Sequence, residues 1–418
     1  MLTSAAAHAR ARPTAIPQLL SGAAAPPRAA PPRARAPLLT PPPPPRASSS
    51  KSMSTTPPPA PKSSCPFAGL IGTTPFPVDA AKEAYEAVAA KTRAPQAQPQ
   101  FGAASSCSPD QYRAFAQAVV AAIGDGTLQA PKAARLGFHA SFTYSPASGP
   151  SGLGGPNGAW IGFPHELAFP ENAGLAEPLQ TIKALKAQHP GLTLADAIAF
   201  ASAIAVEVAG GPPIAWMPGR RDALSHDATG AVALAARMPD GAFNGAAVAY
   251  SFANAGLSAR DAVALIGGGH SFGAMDLTGS GWDGCFTPAG DAWCETAKNR
   301  YFIDLTTLEW EPTTVEGTGR VQYVPKPGQD GAVYTAGDGT AVVRMPSDMA
   351  LLEHPTFADL ARLYARDEAT FLSDFARSYQ RMLQLGAGEG AWSLMPEKFE
   401  WLGLSGKATN YGVAIAPM

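Results

Sequence analysis

The chain has 418 residues, of which 46% are hydrophobic and 15% charged, an ordinary composition for a soluble globular protein of one or two domains. No run of about 18 apolar residues without charge occurs, so we expect no membrane span. The seven histidines and four cysteines lack the spacing of a zinc site, which argues against a metal cluster held by the protein.

Residues 1–62 have the composition of a targeting sequence. Eight basic residues precede the first acidic residue, Asp79, and they lie among alanine, serine and proline. A secretory signal would need a continuous apolar core, which is missing, so we expect import into an organelle. Pro-rich and Ser-rich stretches fit poorly with an amphipathic arginine helix, which favours the chloroplast over the mitochondrion. A disordered tail without an address is the alternative.

The rest of the chain is acidic. Without the eight basic residues of the first segment, 23 of the 31 basic residues remain against 33 acidic ones, a net charge of −10. Nucleic acid and anionic membranes are therefore poor partners, whereas a neutral small molecule or a basic redox protein is not repelled. We divide the chain into a presequence at 1–62, a lead-in at 63–107, the main domain at 108–405 and a tail at 406–418.

Apolar residues recur at helical spacing beyond about residue 108. Thr193 and Ser258 precede two of the periodic segments as N-caps, the second in a capping box. Residues 144–157 are rich in glycine, proline and serine and predict a loop, and residues 309–343 predict β-hairpin structure. The helices predicted in chain order cover residues 110–123, 131–142, 175–188, 194–209, 258–269, 298–307 and 367–385.

Arg135 and His139 lie four residues apart on the second predicted helix, so their side chains share one face. Such a pair is ordinary on a helix surface. Here the neighbours Leu136, Phe138 and Phe142 are apolar, which places the pair on a buried face, and buried charge usually has a partner or a function.

His270 directly follows a predicted helix that ends in three glycines, Gly267 to Gly269. The glycines would let the backbone approach a flat group closely. A glycine-rich helix C-cap with an incidental histidine explains the same pattern. A phosphate-binding loop is a third interpretation, but the stretch has no preceding strand and no Lys-Ser/Thr pair.

Together these stretches resemble the plant-type haem peroxidase superfamily, most closely its intracellular class, which includes ascorbate peroxidase and cytochrome c peroxidase. The resemblance implies a mainly α-helical, two-lobed fold with haem between distal and proximal helices and minor β-hairpin structure. The matching motifs run in order along the chain: Arg135–His139, Gly154–Gly158, Pro170–Leu175 with Glu166 before it, Gly210–Asp222, Ala264–Gly273 and Met345–Leu352.

The resemblance also implies a reaction. His270 would be the axial ligand of a haem b iron and Asp348 its acidic partner, while Arg135 and His139 would cleave hydrogen peroxide and Asn172 would orient His139. A small-molecule reductant would restore the enzyme. A haem-binding peroxide sensor with little turnover, and a helical protein without a cofactor, are the alternatives.

Departures from the family pattern concern the reductant. Phe138 and Phe286 would contact the haem, but intracellular members usually carry tryptophan at both places, so we expect no protein radical at position 286. The arginine that binds ascorbate would fall at Gly279. We therefore expect broad oxidation of small phenolic or aromatic donors and poor use of ascorbate.

Metal sites other than the iron are less well matched. The manganese-oxidising relatives have three carboxylates, of which Asp276 matches one while Leu128 and Lys132 occupy the other two positions. The pattern leaves room for a monovalent or divalent proximal cation near Ser271 and Thr287, although the loop that follows departs from it.

The spacing of the cysteines allows two disulfides but does not establish either of them. Cys285 and Cys294 lie close enough in sequence to bridge, and Cys65 could reach Cys107. Whether either bond forms depends on the redox compartment.

Overall fold

The fold is mainly α-helical, as the sequence predicts. A computed structural model describes residues 100–144, 154–158, 164–224, 237–275, 277–329 and 342–386. About half of these residues are helical, in ten α-helices of eight residues or more, and the strands form only two-stranded antiparallel sheets. The predicted presequence, the C-terminal tail and most of the loop predicted at 144–157 lie outside the described residues.

The first group of helices packs around one central helix. Thr193 caps that helix by accepting a hydrogen bond from the backbone N–H of Asp196, and its residues are buried on nearly every side. The helix Ala130–Ser141 approaches it very closely, because a Cβ at Gly137 would lie 2.0 Å from Oγ of Ser202. The group comprises α1 (Pro109–Gly124), α2 (Ala130–Ser141), α3 (Ala176–Ala187) and the central α4 (Leu194–Val208), with a one-turn helix at Pro164–Leu167 and a 3₁₀ turn at Pro170–Asn172.

The second group comprises α5 (Gly245–Asn254), α6 (Ala259–Gly269), α7 (Arg300–Thr307), α8 (Pro346–Glu353), α9 (Pro355–Arg366) and α10 (Glu368–Leu383). Helix α6 begins at the predicted capping box of Ser258 and Asp261 and ends at His270. Helix α10 packs against α6 and also against α2, so it joins the two groups.

Three short sheets complete the fold. Strand β1 (Phe101–Ala104) pairs with β2 (Arg221–Ala223), and β3 (Ala274–Met275) pairs with β4 (Gly284–Cys285). The hairpin of β5 (Trp310–Thr314) and β6 (Val321–Pro325), in which Trp310 faces Pro325, confirms the prediction of β-hairpin structure after residue 309.

Cys107, Cys285 and Cys294 are in no disulfide, so Cys285 and Cys294 do not bridge; Cys65 lies outside the described residues. No helix in the described ranges is both long and apolar enough to cross a membrane.

Candidate active site

Helix α2 carries Arg135 and His139 on one inward face. His139 is 7% exposed. The Nε–H of Arg135 donates to Nε2 of His139 over 3.2 Å, so the two side chains meet in the same small space. This contact requires an unprotonated Nε2 on the histidine.

Asn172 fixes the other ring nitrogen of His139. The Nδ2 amide group of Asn172 donates to the backbone carbonyl of Glu166 over 3.0 Å, which turns its Oδ1 toward the histidine. Oδ1 lies 3.0 Å from Nδ1 of His139. Because Oδ1 can only accept, the histidine carries its proton on Nδ1 and presents a bare Nε2.

Burial, and then the charge of Arg135, hold the pKa of His139 well below its ordinary value of 6.5, against the opposing effect of the Asn172 hydrogen bond. The imidazole is therefore neutral at neutral pH.

The 3₁₀ turn and the loop after it anchor the arginine as well as the histidine. The guanidinium of Arg135 donates to the carbonyl of Ala173 over 2.7 Å and to that of Glu171 over 3.0 Å. A Cβ at Gly174 would lie 3.8 Å from both the Arg135 guanidinium and Cα of Gly279. Gly279 thus borders the site and adds no side chain to it.

His270 is placed at the C-cap of α6 and bound to a buried carboxylate. Its Nδ1 lies 2.7 Å from Oδ1 of Asp348, whose side chain is fully buried. The ring stacks on Phe286, with centroids 4.0 Å apart and planes 4° apart. The imidazole is 23% exposed, and among the described residues no hydrogen bond uses its Nε2. That nitrogen is available to a metal ion.

Two residues beside Asp348, Tyr301 and Arg344, were not predicted from the sequence. The hydroxyl of Tyr301 donates to Oδ1 of Asp348 over 2.5 Å, and the guanidinium of Arg344 lies over the Tyr301 ring, 4.6 Å from its centroid. Burial raises the pKa of Asp348, but the effects of His270, Arg344 and Tyr301 outweigh it, so the pKa lies below its ordinary value and the carboxylate is ionised.

The three glycines at the end of α6 leave room for different neighbours. A Cβ at Gly267 would meet the ring of Phe302 at 2.1 Å, and one at Gly268 would meet the ring of Phe375 at 2.0 Å. A Cβ at Gly269 would meet nothing within 4 Å. The close approach predicted from these glycines therefore includes two aromatic side chains of the protein itself, and open space remains only beside Gly269.

The remaining predicted residues differ in their surroundings. Phe138 is half-buried, and its ring packs 4.4 Å from that of Phe142. The hydroxyls of Ser271 and Thr287 donate to the backbone carbonyls of Gly267 and Ser271. The described ranges contain no group of three or more His, Cys, Asp or Glu side chains that could hold a metal ion, and Asp276 lies outside them.

Known peroxidases are similar to this chain in sequence. A peroxidase family model matches residues 113–367. The probable L-ascorbate peroxidase 3, peroxisomal, of Oryza sativa subsp. japonica is 34% identical over 259 residues, 62% of this chain and 73% of that protein. A putative heme-binding peroxidase of Pyricularia oryzae is 33% identical over 256 residues, 61% and 79%. The putative cytochrome c peroxidase, mitochondrial, of Yarrowia lipolytica is 31% identical over 266 residues, 64% and 85%.

Proposed function

The chain belongs to the plant-type haem peroxidase family and is a haem peroxidase, and on that premise we propose how its own residues divide the work. One observation carries the proposal: His139 and His270 each bind a buried partner through Nδ1, which keeps the proton on that nitrogen and leaves both Nε2 atoms unprotonated. Relatives named as peroxidases favour an enzyme over a peroxide sensor.

The residues of α6 and α8 fit a haem b held by His270. Its Nε2 is free of protein partners in the described part, its ring is partly exposed, and the backbone beside it at Gly269 borders open space. Phe286 and Phe138 would contact the macrocycle. Haem, when bound, supplies the iron that binds peroxide and exchanges electrons. The domain that holds it would span 108–405, with the other segments as predicted above.

His139 would act as the acid–base group. Its neutral Nε2, which carries no proton, could take a proton from one oxygen of hydrogen peroxide and deliver it to the other oxygen. A haem held by His270 would supply the electrons for breaking the O–O bond, so that the doubly protonated oxygen could leave as water. Arg135, held by two backbone carbonyls, keeps a fixed positive charge beside the oxygen on which negative charge develops. Asn172 would maintain the tautomer that this requires.

Asp348 would act through His270. A carboxylate bound to Nδ1 of a ligating histidine orients the ring and makes it more electron-rich, which stabilises higher oxidation states of the iron. Its full burial and its three hydrogen bonds in the described structure suit that role.

Two alanine variants test the different roles proposed for His139 and His270. We expect His139→Ala to slow the reaction with peroxide by 10²–10⁴-fold or more while the protein retains haem, because only the proton transfer is lost. His270→Ala should instead loosen the haem. His189→Ala is the matched control, since that ring packs against Phe115 and neither rate nor haem content should change. Stopped-flow Soret spectra measure both quantities, and identical behaviour of the first two variants would refute the assignment.

We propose small phenolic or aromatic molecules as the electron donors. The support is the absence of a side chain at Gly279, which borders the Arg135 loop, and the phenylalanine at position 286. An ascorbate anion would find no guanidinium at Gly279. Steady-state rates with ascorbate, guaiacol, manganous ion and reduced cytochrome c, measured side by side, test the proposal, and a clear preference for ascorbate would overturn it.

We also propose a location and further partners for the protein. We propose an organelle because two of the relatives above are named peroxisomal and mitochondrial, whereas the chloroplast rests on the composition of residues 1–62 alone. A basic redox protein as donor rests on the net charge of the chain after residue 62. The proximal cation stays a prediction, and the Ser271 and Thr287 hydroxyls already donate to backbone carbonyls. Import of a fluorescent fusion into isolated organelles tests the location.

A further inference from the structure

Asp348 receives hydrogen bonds from three donors. Its Oδ1 accepts from Nδ1 of His270 at 2.7 Å and from the hydroxyl of Tyr301 at 2.5 Å. Its Oδ2 accepts from the backbone N–H of Met345 at 2.7 Å. His270 and Tyr301 therefore compete for the same carboxylate oxygen.

The geometry holds the phenol of Tyr301 in place. The side chain is fully buried, and Arg344 binds it twice: the guanidinium lies over the ring, and it donates to the Tyr301 carbonyl over 3.2 Å. Among the described residues the hydroxyl donates to Asp348 and to no other acceptor. Phe286, whose ring stacks on that of His270, has no group that could donate to the carboxylate.

We propose that Tyr301 is a positioning residue that fixes Asp348 and limits how electron-rich His270 becomes. A charge-assisted hydrogen bond draws negative charge toward its donor. The phenol therefore leaves less of the Asp348 charge to polarise the Nδ1–H bond of His270, and the histidine donates less electron density to whatever metal its Nε2 binds. The inference rests on the proposed ligation of haem iron by His270.

Tyr301→Phe removes the hydroxyl and keeps the ring. We expect the ferric form to be favoured about tenfold more strongly over the ferrous form, which is a fall of about 59 mV in the one-electron reduction potential. The iron–histidine stretch of the ferrous protein should move to higher frequency in resonance Raman spectra. Tyr364→Phe is the matched control: Tyr364 is also buried and donates to a carboxylate, that of Asp374 at 2.9 Å, away from His270. It should change neither quantity.

A graded variant protects the test against misfolding. Replacing Tyr301 by 3-fluorotyrosine keeps a phenol but makes it a stronger donor, so the reduction potential should rise and the stretch should move to lower frequency. A folded, haem-loaded Tyr301→Phe protein with the wild-type potential and stretch would overturn the inference, as would an equal shift in Tyr364→Phe. If the wild-type protein showed no iron–histidine band, the ligation by His270 would fail and the inference with it.

Discussion

Asn172→Ala isolates the contribution of one hydrogen bond to His139, the proposed acid–base group. The substitution removes the acceptor at 3.0 Å from Nδ1 of His139 and leaves a buried N–H without that partner. An unsatisfied buried donor costs about 1–3 kcal/mol. The ring can avoid much of this cost by moving its proton to Nε2 or by turning, and either change removes the unprotonated Nε2 that the proposed proton transfer requires.

If the whole cost falls on the productive tautomer, its population drops by the corresponding Boltzmann factor. One factor of ten corresponds to about 1.36 kcal/mol, so the second-order rate with peroxide should fall about 5- to 150-fold. The loss should be smaller than that of His139→Ala, because a neutral imidazole is still present. Single-turnover stopped-flow with a pseudo-first-order excess of peroxide measures this rate directly.

Asn299→Ala is the control for a general loss of stability. Asn299 is also buried, at 5% exposure, and its amide donates to the carbonyls of Tyr364 and Ala365 at 2.9 and 3.0 Å. It should lower the melting temperature without changing the peroxide rate. A wild-type rate in Asn172→Ala, or an equal slowing in Asn299→Ala, would refute the orientation of His139 by Asn172.

Three further outcomes are expected. Burial, and then the neighbouring guanidinium, depress the pKa of His139 below 6.5, so below that pH the unfolded chain binds a proton that the folded chain does not. The stability measured by calorimetry should therefore fall as the pH drops below 6.5. The rate with peroxide should stay constant until the pH reaches the lower pKa of the folded state. Gly268→Ala should destabilise by about 1–3 kcal/mol through overpacking, whereas Gly269→Ala, with open space around it, should not, as denaturant titration would show. Arg220→Met leaves a buried carboxylate without its charge partner at 3.0 Å, and urea unfolding should show a loss of about 3–5 kcal/mol; a loss below 1 kcal/mol would contradict this reasoning.

Most helices were predictable because local signals agreed with the packing. Ser108, Thr193 and Ser258 cap the helices that follow them, and the predicted ends of the helices with observed counterparts lie within two residues of the observed ones. Helices α5, α8 and α9 were not predicted. The apolar residues of α8 show almost no helical periodicity, unlike those of α7, which has the same length and was predicted.

The candidate site was predictable only where a motif marked it. Arg135, His139, Asn172, His270 and Asp348 lie in stretches that resemble family motifs, and the structure brings them together in two hydrogen-bonded groups. The pairing of residues 78 apart cannot be derived from periodicity, because it depends on how α6 and α8 pack.

Tyr301 and Arg344 carried no such signal. An aromatic residue on the buried face of an amphipathic helix usually belongs to the core, and only the direction of its hydroxyl distinguishes Tyr301. Arg344 follows two buried valines, and nothing in the sequence indicates that its guanidinium packs against the rings of both Tyr301 and Trp310.

Asp348 has two structural duties that cannot be separated. Through Oδ2 it accepts from the backbone of Met345 and starts helix α8, while through Oδ1 it binds His270. Any opening of the first turn of α8 therefore also releases the histidine. The amide hydrogens of α8 and the Nδ1 proton of His270 should exchange with solvent as one cooperative unit, so the state of His270 would report on the local unfolding of a helix 78 residues farther along the chain.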